Sequence, residues 1–97
     1  MATYIALSSF TDQGIRSVKD TTKRAEAAAK AAKKFGVKMT QIYWTVGSFD
    51  LVIVIEAPDD ASATAFMLST GSAGNVRTQT LRAFSKSEMN GILGKLK

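Results

Sequence analysis

Apolar and polar positions change rhythm along this chain, and the rhythm predicts its elements. Thr3–Ser8 (TYIALS) alternates with the period of two expected of a half-buried strand. A turn follows at Phe10–Gly14, where Asp12 is placed to cap a short helical turn carrying Ile15 and Val18. From Thr22 to Phe35 the period lengthens: Ala25, Ala28, Ala29, Ala32 and Phe35 fall on one helical face, and Gly36 is a C-terminal stop. Val37–Val46 and Leu51–Glu56 read as two strands joined at Gly47–Asp50, a hairpin. Pro58, Asp59 and Asp60 open a second helix that runs to about Ser69 or Thr70, before Gly71. A small-residue loop leads to a fourth strand, Val76–Phe84. Ser85-x-x-Glu88 is a capping-box pattern, and Met89, Ile92, Leu93 and Leu96 then recur at helical spacing.

The order β-α-β-β-α-β plus a terminal helix is the ferredoxin-like plan, an α+β fold with a four-stranded antiparallel sheet in one domain, residues 1–97. The third strand adds a constraint. Leu51, Ile53 and Ile55 point to one side and Val52 and Val54 to the other, so both faces of the strand require cover. Two helices cover one face. For the other, a second copy packed sheet to sheet is expected, with Met39, Tyr43 and Val46 contributing. The competing arrangement folds the terminal helix back over the open face.

Composition narrows the chemistry. With no histidine and no cysteine, zinc sites of the usual N and S donors, haem with its usual axial ligand, histidine triads and disulfides are all excluded. Metal binding would need carboxylates alone, and Asp59 and Asp60 are adjacent rather than convergent; no metal and no cofactor is expected. The longest apolar run, Leu51–Ile55, is far too short to span a bilayer, and Met1–Tyr4 lacks the features of a secretory signal. A cytoplasmic protein without membrane partners is expected. The net charge of +5 is unevenly spread: residues 1–38 hold eight basic and three acidic side chains, mostly lysine among alanines. That is a solvated helix face, braced by Asp20–Arg24 and Glu26–Lys30 pairs, and lacks the interleaved aromatics of a nucleic-acid surface.

Four segments, YIALSSFTDQGIR, the hairpin Gly47-Ser48-Phe49-Asp50, EAPDD at Glu56–Asp60 and GNVRTQTLRAF at Gly74–Phe84, occur in an order that resembles the GYD-domain family over essentially the whole chain. The family takes its name from a Gly-x-Tyr-Asp segment; here position 49 is Phe, so any role of that tyrosine hydroxyl is absent or displaced. The resemblance implies a ferredoxin-like fold similar to dimeric α/β-barrel proteins. By analogy of fold alone, that wider group includes cofactor-free monooxygenases, lactone isomerases and ligand-sensing domains.

The groups available to a ligand are few. Tyr4, Ala6 and Ser8 share one face of the first strand, and Met39, Gln41 and Tyr43 are expected to share one of the second. On the fourth, Arg77 and Gln79 oppose Thr78, Thr80 and Arg82. Asp50 is either a general base beside Tyr4 or Tyr43 or a turn residue bonding backbone. Arg77 and Arg82 either clamp an anion or pair with surface acids. Tyr4, Tyr43, Asp50, Arg77 and Arg82 are therefore the candidate contacts of a small molecule in an apolar cavity at the sheet face of a homodimer, with or without catalysis. A ligand-sensing regulatory module and a structural assembly protein are the alternatives.

Overall fold

A computed structural model describes residues 1–96. Strand β1 (Ala2–Phe10) leads to a one-turn helix α1 (Asp12–Arg16), a 3₁₀ turn at Val18–Asp20 and helix α2 (Thr21–Ala32). A second 3₁₀ turn, Lys33–Phe35, ends at Gly36, whose φ of 71° is left-handed and suits glycine. Strands β2 (Lys38–Trp44) and β3 (Leu51–Ala57) form the hairpin, followed by α3 (Asp60–Ser72), β4 (Val76–Ala83) and α4 (Lys86–Leu93). The sheet order β2-β3-β1-β4, antiparallel throughout, is consistent with the ferredoxin-like arrangement.

Caps set the helix starts. Thr11, rather than Asp12, caps α1: its hydroxyl accepts from the Gly14 N–H at 3.0 Å. The Asp59 carboxylate accepts from the Ser62 N–H at 2.7 Å, and Ser85 with Glu88 forms the reciprocal capping box of α4. These bonds satisfy backbone donors that a helix cannot pair internally. Helix α3 runs past Thr70 and includes Gly71 and Ser72, because only Gly74, at φ 86°, adopts the left-handed turn.

The core lies between the sheet and the helices. Tyr4, Ala6 and Ser8 of β1 and Leu51, Ile53, Ile55 and Ala57 of β3 are buried on this side, beneath Ala32, Ala63 and Phe66. Phe35 and Phe66 meet with ring centroids 6.1 Å apart and planes tilted by 50°. The opposite face carries Ile5 and Leu7 of β1, which pair with Val54 and Val52 of β3. Leu81 lies beside Ile5, and Tyr43 beside Val52.

Several expectations are corrected here. A bulge at Thr40 shifts the β2 register, so Met39 opposes Ile55 on the helix side while Gln41 and Tyr43 face away. The three residues do not share a face, since one inserted residue reverses every side chain beyond it. Val46 lies past the end of β2, outside the paired strands, and is fully exposed. Arg24 does not pair with Asp20, nor Glu26 with Lys30; among the described residues the ion pair found is Arg82–Glu88, at 3.8 Å. Finally, α4 does not fold back. Every residue from Lys86 to Leu93 is exposed, and the molecule is drawn out to 52 Å along its longest axis.

Candidate functional site

The five nominated residues divide between the two faces of the sheet. Tyr4 and Arg82 are cross-strand neighbours on the helix side. They line an open cleft of about 760 Å³ between α3 and the edge strand β4, with Thr78, Thr80 and Met67. Arg77 leaves β4 on the other face, opposite Ser9, yet reaches the rim of this cleft. Tyr43 stands on the open face at the far edge of the sheet, 57% exposed. Asp50 precedes β3, and its Oδ2 accepts the Phe10 N–H at 2.8 Å. The structure thus brings Tyr4, Arg77 and Arg82 to one cleft and leaves Tyr43 and Asp50 elsewhere.

Two of the three, Tyr4 and Arg82, already have partners. The Tyr4 hydroxyl donates a short hydrogen bond to Oδ1 of Asp60 in the first turn of α3. That bond, then burial, holds the phenol above its ordinary pKa, so it stays protonated at neutral pH. The pair ties β1 to the start of α3. The Arg82 guanidinium lies 5.6 Å from the Tyr4 ring centre and 4.4 Å from that of Phe84. Its Nη1 donates to the Thr3 carbonyl at 3.2 Å and to that of Ala83, and its Nη2 faces Glu88. Arg82 therefore fixes where α4 leaves the sheet.

The Asp50 bond replaces the pairing with Tyr4 or Tyr43 considered from the sequence. The carboxylate joins the hairpin to the end of β1, while the Asp50 N–H donates to Ser8 O at 2.9 Å. Asp60 is the partner that sequence reasoning missed. Its neighbour Asp59 and the helix start were legible, but the reach from Tyr4 across 56 residues was not.

The second surface is the open face itself. Half-buried Ile5, Leu7, Val52 and Val54 form its centre, with Leu81 and Tyr43 exposed toward the two edges. Row by row across the sheet, Tyr43, Val52, Leu7 and Gln79 align, then Gln41, Val54, Ile5 and Leu81. Beyond the end of β4, α4 presents Met89, Ile92 and Leu93, with Leu96 following, and buries none of them. No described helix is long and apolar enough to cross a membrane.

Comparison with known proteins agrees with this architecture. A protein of Thermus thermophilus described as a glutamine synthetase and cystathionine beta-lyase binding protein is 36% identical over 90 residues, 92% of this chain and 95% of the relative. The GYD domain matches residues 4–93. With the hairpin, the β4 segment and almost the whole fold inside that match, the chain belongs to the GYD domain family.

Proposed function

We propose that this protein is a homodimeric protein-binding module that docks on metabolic enzymes. The observation that carries the reading is the apolar surface its own fold leaves open: the centre of the sheet face and the stripe of α4. Contiguous apolar patches of this kind mark interaction sites. Helix α4 adds a second consideration. It has eight residues, includes Gly91, and is exposed along its whole length, with one ion pair to β4, whereas isolated helices shorter than about 12–15 residues are marginal in water. In this reading a second copy laid sheet to sheet covers the open face, and α4 gains its cover on association. The relative's description, over 95% of its length, supports binding of other enzymes, glutamine synthetase and cystathionine beta-lyase being the first to try.

Leu81→Glu is the test. Leu81 is 41% exposed, so the fold tolerates the charge while the proposed interface does not. Size-exclusion chromatography with light scattering at micromolar protein should report a dimer for the parent chain and a monomer for the variant. Titration of the two purified enzymes should give binding that the variant weakens. A monomeric parent chain that binds neither enzyme would overturn the reading.

A second reading is favoured by the polar residues flanking the apolar centre, Gln41 and Tyr43 at one edge and Arg77 and Gln79 at the other. An apolar floor with a few polar groups at its margin is the usual composition of a small-molecule pocket. The dimer would then enclose a ligand between its sheets, for sensing or for cofactor-free catalysis. A rise in thermal midpoint with members of an aromatic and lactone panel supports this, since a ligand specific to the native state stabilises it. Native mass spectrometry separates both readings from structural assembly, which predicts masses above the dimer without bound ligand.

A further inference from the structure

The helix-covered side of the sheet holds a cleft that neither reading uses. The sheet-facing side of α2 is built of alanine, and the facing end of α3 of Ser69, Thr70 and Ala73. Phe35 and Phe66 fill the space between the helices at one end. One turn further along, the small side chains cannot meet, and a cleft of about 290 Å³ remains. Its floor is apolar, formed by Met39, Ile42, Ile53 and Val76. Ligand pockets run from about 300 to 1,000 Å³, so this one suits a small occupant.

The rim carries one charged lining residue, Arg24, and no acid lines the cleft. Arg24 is held in place: Nη1 donates to the Ser17 carbonyl at 2.7 Å and its hydroxyl at 3.0 Å, and Nη2 to the Gly14 carbonyl at 3.1 Å. Those three bonds leave at least two of the five guanidinium N–H donors free. All three acceptors are neutral, and among the described residues no carboxylate pairs with Arg24. The guanidinium lies 6.0 Å from the Phe10 ring centre, and a fixed cation without a carboxylate partner at the mouth of an apolar cleft selects an anionic head on an apolar body.

We infer that the cleft between α2 and α3 binds a small monocarboxylate with an aromatic or branched aliphatic body, its carboxylate on Arg24 and its body over Ile42 and Val76. This site lies across the sheet from the face proposed for dimer and enzyme binding, so either can fail without the other.

The test uses 3-phenylpropionate, its uncharged amide and acetate as probes, followed by amide chemical-shift mapping of the full chain. The acid should move signals around Ala28, Ile42 and Val76 saturably. The amide should bind at least tenfold more weakly, and acetate should leave the floor signals in place. Arg24→Gln removes the charge, and Ala28→Leu fills the volume; each should abolish the difference between acid and amide. Should either variant fail to fold, the acid–amide comparison on the parent chain decides alone. Equal binding of acid and amide, shifts that map away from the cleft, or no shifts at millimolar acid would overturn the inference.

Discussion

Gly14 is the most tightly enclosed glycine in the fold, and replacing it with alanine should have a large effect. The residue is buried in α1, against the loop before β4. A Cβ there would press on the Asn75 carbonyl, with its carbon 2.8 Å away and the Asn75 Cα 3.1 Å away. Carbon atoms prefer separations of about 3.5–4.0 Å, so the two segments must part by roughly 1 Å. All the opposing atoms are backbone and cannot swing aside. That movement would break the Thr11 N–H bond to Asn75 O, now 3.1 Å, and the Thr11 hydroxyl bond to Gly74 O, now 2.5 Å. Overpacking of about 1–3 kcal/mol and two lost hydrogen bonds of about 1 kcal/mol each sum to about 3–5 kcal/mol. For a chain of this length each kcal/mol lowers the thermal midpoint by about 4–8 °C, so a fall of about 12–40 °C is expected.

Gly71→Ala is the matched control. It sits in α3 with no atom within 4 Å of the added Cβ, and alanine is the better helix former by about 1 kcal/mol. Calorimetry of both variants at one protein concentration, which removes mass-action effects of association, should show shifts of opposite sign. A Gly14→Ala midpoint within a few degrees of the parent chain would refute the reasoning. So would a Gly71→Ala midpoint that falls as far.

Asp50→Ala should destabilise the fold by about 1–3 kcal/mol by orphaning the Phe10 N–H, while Asp50→Asn keeps an acceptor and should lose less than half of that. Hydrogen exchange at Phe10 reports the bond directly, and equal losses in the two variants would count against Asp50 acting as its acceptor. Ser85→Ala removes the α4 cap, an effect of about 1 kcal/mol in each protomer, and should raise the dimer dissociation constant about thirtyfold by analytical ultracentrifugation. Because α4 is exposed along its whole length and is tied to its own chain by little beyond the Arg82–Glu88 pair, the thermal midpoint of a monomeric variant such as Leu81→Glu should change little on adding it. Stability should be lost at both extremes of pH. The Ser62 N–H holds Asp59, and the Ser85 N–H holds Glu88, below the ordinary carboxylate range, so their contribution is complete above about pH 4.5 and falls away in acid. The Tyr4 phenol is raised by Asp60, so its contribution is complete below about pH 10 and lost as pH rises through its folded value. Urea midpoints across pH for Asp59→Asn and Tyr4→Phe should flatten the acid and alkaline limbs respectively.

Local pattern carried most of the architecture. The alternation in Leu51–Ile55, the alanine face of α2, the capping box at Ser85 and the left-handed glycine at Gly36 each follow from chemistry within a few residues. Such signals do not depend on where the rest of the chain lies. The double-sided apolar strand also exposed the need for an external cover, although not its identity.

Long-range relations were not legible in that way. The bulge at Thr40 decided which of Met39 and Tyr43 enters the core, and register across β2 and β3 is fixed by pairing rather than by composition. Tyr4 reaches Asp60, Arg24 turns from Asp20 to the Ser17 and Gly14 carbonyls, and α4 stands away from the sheet it was free to cover. Each is a choice among partners that the sequence leaves equally available. Sequence alone determined a ferredoxin-like domain with one sheet face too apolar for water. Tertiary structure decided which residues line that face, which charges are already neutralised, and that Arg24 is left with spare donors beside an apolar cleft, because burial and pairing are properties of the assembled chain.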